Sequence, residues 1–290
     1  MGENREEPTD RFEEFRIGDL PRELQESVVK EISNYTIGFF TVLRLDGVQR
    51  FQPLGSGTLV TVAGSNGNRV HAVLTAHHVV EVLPSTGQLG IAMGECSTTS
   101  VLVDLKGLSL VKLARGTDDS AGPDLGLVVL SPIIASSIEA RKSFVDLDQL
   151  RSTVLSDPLP INEGVWAVQG FLEERTKTIH DEQGLLILHY NFTGFGTATP
   201  TLTSEEHDYY SFPVDFDNDL PSRFNGMSGG GLWQFQIERK GESQTHKRPL
   251  FSGVLFYQEA IKDNELAIRC HGRRSTYVVA GDYLRGLQSH

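Results

Sequence analysis

Between residues 35 and 131 the chain divides into short runs of β-branched, aromatic and leucine residues, each closed by turn residues, and this rhythm limits the fold more than any other feature. Tyr35 to Leu45 reads as a strand with Asp46-Gly47 as its turn. Gln52 to Ala63 reads as a second, and Ser65-Asn66-Gly67-Asn68 is a hairpin signal leading to a third at Val70 to Thr75. Further short strands are expected at 88–95, 99–114 and 125–131. Turns at such regular intervals lead to a β-barrel or β-sandwich.

From Pro132 to Pro160 the rhythm stops. Ile133, Ile134, Ile138, Phe144, Leu147 and Leu150 are spread among charges, so the segment reads as a partly helical connection. The β-pattern resumes at Gly164 to Phe171, Leu185 to Thr193, Tyr209 to Phe216, Leu232 to Ile237, Leu250 to Tyr257, Leu266 to Cys270 and Thr276 to Ala280. The expected class is all-β in two halves. The chain divides into a tail and helix (1–35), a first β-half (36–131), the connection (132–160), a second β-half (161–281) and a closing helical turn (282–290). The N-terminal helix is expected from Asp19 as cap, Pro21 in the first turn, and Leu24, Val28 and Ile32 recurring every four residues.

Charge and composition exclude several function classes. The formal net charge of −12 over 290 residues, with no Lys/Arg run, argues against a nucleic-acid partner. No apolar run is long enough to cross a membrane. The acidic start, Met1-Gly2-Glu3-Asn4-Arg5-Glu6-Glu7, lacks a signal-peptide core, and the chain has only two cysteines, Cys96 and Cys270. A reducing, cytoplasmic setting is therefore expected. No H-E-x-x-H and no paired C-x-x-C is present, so neither metal nor cofactor is expected.

The chemistry concentrates at Phe224-Asn225-Gly226-Met227-Ser228-Gly229-Gly230-Gly231, one serine among four glycines. Such a turn suits a nucleophile beside bare backbone N–H groups that can hold developing negative charge. Gly226-Met227-Ser228-Gly229-Gly230 fits both a G-x-S-x-G elbow and a G-x-S-G-G pattern. Chain order separates them. The elbow of an α/β-hydrolase needs an acid and a histidine after the serine, and too little chain remains there. The partners are therefore sought upstream. A serine hydroxyl needs a base, and a histidine held by a carboxylate supplies one near neutral pH. Thr75-Ala76-His77-His78 ends one expected strand and Asp124 heads the apolar run Leu125 to Leu130. Asp104, Asp118 and Asp119 are the other acids nearby, and residue chemistry alone leaves His77 and His78 equivalent.

Together with Gly55-Ser56-Gly57-Thr58-Leu59-Val60, these motifs make residues 36–281 resemble the chymotrypsin/trypsin-like serine proteases, in an intracellular type without disulfides. The resemblance implies two six-stranded antiparallel β-barrels (chymotrypsin-like), with an N-terminal helix and a short C-terminal helix. It implies His78 as base, Asp124 as acid and Ser228 as nucleophile in the cleft between the barrels. The backbone N–H groups of Gly226 and Ser228 would form the oxyanion hole. Ser222 would form the pocket base, with Phe256, Tyr257 and Gln258 along the wall. The implied activity is a serine endopeptidase acting on a polypeptide substrate through an acyl-enzyme.

Two departures from the family matter. Met227 stands where many secreted relatives carry an aspartate that receives a new N-terminal ammonium, and no Ile-Val-Gly-Gly-like sequence starts the chain. Activation by that route is not expected. Control would fall to a regulatory protein partner, the N-terminal segment or loop ordering, and the chain is expected to be competent without trimming. Ser222 is neutral, so no strong preference for Arg or Lys is expected, although Asp219 and Arg223 lie close. A function from another class is a catalytically idle protease fold serving as a binding or regulatory subunit.

Overall fold

The computed structural model describes residues 20–45, 48–64, 67–94, 100–118, 120–156, 159–181, 184–188, 191–201, 206–215, 223–240, 243–259 and 265–287. Helix α1 (Arg22–Ser33) follows Pro21 and buries Leu24, Val28 and Ile32, the stripe that its sequence spacing requires. Asp19, the expected cap, lies outside the described residues.

The first sheet takes β1 (Thr36–Leu45), β2 (Val48–Ala63) and β3 (Arg69–Thr75), then the short helix α2 (His77–Val82). It continues with β4 (Gln88–Ala92), β5 (Ser100–Asp104), β6 (Leu108–Arg115) and β7 (Asp124–Leu130). Its order is β5-β4-β1-β2-β3-β7-β6, with antiparallel neighbours throughout. The connection carries α3 (Pro132–Glu139), β8 (Val145–Asp146) and α4 (Leu147–Leu155), and β8 adds a parallel strand beside β2.

The second sheet follows. It draws on β9 (Val165–Phe171), and a hairpin of β10 (Lys177–Asp181) and β11 (Gly184–Leu188) stands apart from it. Then come β12 (Asn191–Gly196), β13 (Thr199–Pro200), β14 (Tyr209–Asp215) and β15 (Gly231–Phe235). A second separate hairpin joins β16 (Ile237–Lys240) to β17 (Ser243–His246), before β18 (Leu250–Gln258) and β19 (Glu265–His271). The order is β12-β9-β15-β18-β19-β14-β13.

Strand alternation explains the layering. In β7, Leu125 and Leu127 face a core shared with the second sheet, while Val128 and Leu130 face a core drawn mainly from the first sheet, which Tyr209 and Phe256 of the second also enter. In β15, Trp233 and Phe235 enter the shared core and Leu232 enters a third, beneath the second sheet. Each sheet thus packs one face on the shared core and the other on a core drawn mainly from its own half. The molecule is mostly β, built of antiparallel sheets that include a half-barrel. The sheets hold eight and seven strands among the described residues, where no pairing joins β5 to β6 or β12 to β13, so two closed barrels are not shown. No described helix is long and apolar enough to cross a membrane.

Two expectations need correction. The run at 99–114 is broken by a 3₁₀ turn at Leu105–Gly107, where the Asp104 carboxylate accepts from Lys106 N at 2.9 Å. Thr276 to Ala280 is β-prone, yet Ser275–Ala280 is a wide helical turn leading into α5 (Gly281–Gly286). Asp208 accepts from the backbone N of Arg274 (3.0 Å) and of Ser275 (2.9 Å), which satisfies donors freed at the start of the turn. The buried Tyr277 hydroxyl donates to the Phe251 carbonyl at 2.7 Å, so tertiary contacts override local propensity.

A buried amide joins the two sheets. Gln169 Oε1 accepts from Thr36 Oγ1 at 2.6 Å, and its Nε2 donates to Ser33 Oγ (2.9 Å) and Thr193 Oγ1 (3.0 Å). Gln169→Leu removes these bonds and leaves the buried Ser33 hydroxyl without its described partner, at a cost of about 1–3 kcal/mol. Urea unfolding is expected to show a lowered midpoint with an unchanged slope. An unchanged midpoint would mean that the bridge contributes nothing.

Candidate active site

β3 runs into the site. Thr75 Oγ1 donates to the Ser56 carbonyl at 2.7 Å, Ala76 is extended, and α2 begins at once. Adjacent helical residues point about 100° apart, so His77 and His78 part company here. His77 is buried with its Nε2 3.3 Å from Glu81 Oε1, and Glu81 is also paired with Lys112 and Arg115. His78 turns to Asp124. Its backbone N donates to Asp124 Oδ1 at 2.9 Å and its Nδ1 donates to Oδ2 at 2.5 Å. A ring protonated at Nδ1 leaves Nε2 free to take a proton.

Asp124 opens β7 and is 4% exposed. Burial pushes its carboxyl up, but the hydrogen bonds and charge of His78 outweigh burial, and the net shift is below the usual carboxylate range. Asp124 is therefore an anion at neutral pH. Its own backbone N donates to His271 Nε2 at 2.9 Å.

The serine turn is held by carbonyl groups. Ser56 N donates to the Ser228 carbonyl (2.8 Å), and Ser56 Oγ donates to the Gly226 carbonyl (2.6 Å) while accepting from Phe171 N (2.8 Å). Glu173 N donates to the Asn225 carbonyl at 2.9 Å, and Gly230 N donates to the Met227 carbonyl at 2.8 Å. Four consecutive carbonyls, from Asn225 to Ser228, are thus engaged. Among the described residues nothing accepts from the backbone N–H of Gly226 or of Ser228. Two free donors flanking Met227 make a site for developing negative charge. Met227 itself is 1% exposed, with its side chain in the core beneath the second sheet.

A cavity of about 540 Å³ is lined by His78, Asp124 and Ser228 together with Phe256, Tyr257 and Gln258. Gln258 Oε1 accepts from Phe224 N at 2.9 Å, tying the wall of the cavity to the start of the serine turn. Arg223 is exposed and lines the same cavity. No hydrogen bond links Ser228 Oγ to His78 among the described residues. Ser222, the expected pocket base, and Asp219 lie outside those residues.

Other histidines and acids lie elsewhere. His71 pairs with Glu139 (3.0 Å) and His246 with Ser27 (3.1 Å). Asp118 is exposed and accepts from Ser120 (2.8 Å), while Asp119 lies outside the described residues. Among the described residues no group of three or more His, Cys, Asp or Glu side chains could hold a metal ion. Sequence reasoning missed His271. It lies 147 residues from Asp124, and no motif links the two. No protein-family model matches the chain, and no curated protein sequence matches it significantly.

Two predictions follow from this geometry. Gly229 lies at φ +88°, and a Cβ there would stand 2.0 Å from both the Ser56 carbonyl oxygen and Thr75 Oγ1. Gly229→Ala should displace the Ser228 turn and lower stability by about 1–3 kcal/mol or more. A thermal unfolding curve matching the parent's would contradict this.

The second concerns pH. Burial, reinforced by His207 and opposed by Asp124, pushes the His271 imidazole down to about 3. Between that value and the unfolded value of about 6.5 only the unfolded chain binds the proton. The contribution is complete above pH ~6.5 and is lost as pH falls, by up to about 1.4 kcal/mol per unit. Asp124, also depressed, acts in the same direction at lower pH. Unfolding free energy measured from pH 7 to 4 should decline, and His271→Gln should flatten the decline. A parent curve flat over that range would refute the assignment.

Proposed function

We propose that this chain is a serine endopeptidase that hydrolyses peptide bonds in polypeptide substrates, built on the chymotrypsin-like plan. One observation carries the reading. His78, seated on Asp124 by two hydrogen bonds, shares a cavity with Ser228, whose turn leaves two backbone N–H groups free. Chain order supports it as well, with histidine, acid and serine in sequence. We read the two sheets, of eight and seven described strands, as the two barrels of that plan, a reading supported by a core mainly within each and a shared core between them.

In this reading Ser228 Oγ attacks the scissile carbonyl carbon while its proton passes to His78 Nε2. The carbonyl electron pair moves onto oxygen, which takes hydrogen bonds from the N–H groups of Gly226 and Ser228. The C–N bond then breaks, and His78 returns the proton to the leaving amine. Water, deprotonated by His78, attacks the acyl ester; the C–O bond to Ser228 breaks as His78 returns the proton to Oγ, and the carboxylic product leaves. Asp124, an anion below the cavity, stabilises the imidazolium formed in both halves. Phe256, Tyr257 and Gln258 would contact the substrate, and the cationic Arg223 would work against Lys or Arg side chains. The reading carries a cytoplasmic location with it, Cys270 being a free, buried thiol, and a protein partner as regulator.

A second reading, an idle protease fold that binds a partner, is favoured by the missing hydrogen bond between Ser228 and His78. Such bonds often tighten only when substrate is bound. A fluorophosphonate probe separates the two readings. We expect labelling at Ser228, absent in Ser228→Ala and almost absent in His78→Ala. Asp124→Asn should lower kcat by about 10⁴-fold through the wrong histidine tautomer. A folded parent protein that resists labelling would favour the idle reading. Peptide hydrolysis unchanged in Ser228→Ala would remove the proposal.

A further inference from the structure

We propose that His271 is a positioning residue for the acid of this site: a neutral imidazole on the second sheet whose Nε2 holds the backbone of Asp124 and so sets the orientation of His78. The proposal rests on the reading of His78, Asp124 and Ser228 as a hydrolytic set.

The geometry is specific. His271 ends β19 and is 0% exposed. The Asp124 N–H donates to His271 Nε2 at 2.9 Å, which requires a lone pair on that nitrogen. The proton of the neutral ring must then sit on Nδ1, which has no hydrogen-bond partner in the described structure. A buried polar atom left without a partner disfavours histidine at this position, unless the other nitrogen serves a purpose. That nitrogen fixes the first residue of β7 from the opposite sheet.

Asp124 is thereby held at both ends. Its carboxylate accepts from His78 on α2, and its N–H donates to His271 on the second sheet. The groups packed around the ring keep it neutral. Tyr209 on β14 lies 5.2 Å from it between ring centroids, Phe256 on β18 lies 4.8 Å away, and His207 lies 5.9 Å away. The Arg269 guanidinium, 5.8 Å from the Tyr209 ring, adds positive charge nearby, and Asp124 is the opposing anion. Protonation at Nε2 would set N–H against N–H and release the anchor. It would also place a second cation beside the carboxylate that His78 needs. A neutral ring avoids both.

The first test uses the unmodified chain. Nitrogen NMR of the histidine rings should show His271 with Nε2 unprotonated and not titrating from pH 8 to 5. A proton on His271 Nε2 would overturn the proposal, whatever the protein's activity. The second test compares His271→Leu, which lacks the acceptor, with His271→Gln, which retains one. The His78 Nδ1–H resonance, a signature of its hydrogen bond to Asp124, should move in His271→Leu and return to the parent position in His271→Gln. On a peptide substrate kcat should fall by about 10- to 100-fold in His271→Leu with KM nearly unchanged. A His78 Nδ1–H resonance identical to the parent's in both folded variants would also overturn it. Failure of the hydrolytic reading is separately visible as an unlabelled Ser228 in the parent, and the NMR results still decide the role of His271.

Discussion

Ser56 uses every polar group it has at one junction. Its N–H and hydroxyl hold the Ser228 turn, its hydroxyl oxygen also receives Phe171 of β9, and its carbonyl receives Thr75 at the end of β3. The residue is fully buried, and four hydrogen bonds converge on it from three segments. It can reach them only because the chain beside it has no side chain. A Cβ on Gly57 would lie 2.2 Å from Val73 Cγ1. Without that close approach β2 would stand off from β3, and the serine turn would lose the contact that orients its carbonyls. The candidate site thus depends less on the serine turn itself than on a strand far upstream that clamps it.

Much of this was legible in the sequence because the informative residues are local. Thr75-Ala76-His77-His78 marks the end of a strand, and Asp124 announces itself by heading an apolar run. The α1 stripe at Leu24, Val28 and Ile32 needs only helical spacing. Where sequence reasoning stopped, the deciding contacts are distant. Thr276 to Ala280 looks like a strand until Asp208 and Phe251 are placed beside it. His77 and His78 are chemically equal until α2 turns one toward Glu81 and the other toward Asp124. His271 carries no signature, since its partner is a backbone N–H, which any residue type supplies. Barrel closure is equally invisible to pattern, because it depends on which edge strands meet.

The electrostatics of the interior follow the same division of labour. Arg273 is 5% exposed, yet its described acceptors are neutral: the Leu159 carbonyl, Ser252 Oγ and Gln234 Oε1. Its guanidinium also lies 5.7 Å from the Trp166 ring centroid. It pins the connection to the second sheet by hydrogen bonds rather than by ion pairing. Asp124, by contrast, is a buried anion with a histidine at its carboxylate. Burial of charge is tolerated in the scaffold where neutral oxygens accept from it, and used at the cavity where a proton can be exchanged.

Met227 gives the serine turn a different physical character from one held by an ion pair. An ammonium–carboxylate contact weakens with salt and vanishes when either group changes its protonation. A thioether packed among Trp166, Val168 and Leu232 responds to neither. Its hold derives from excluded water, which carries a large heat-capacity change and loosens as the solution is cooled. The readiness of this turn is therefore coupled to temperature rather than to ionic conditions, and low temperature is the condition that would slacken it.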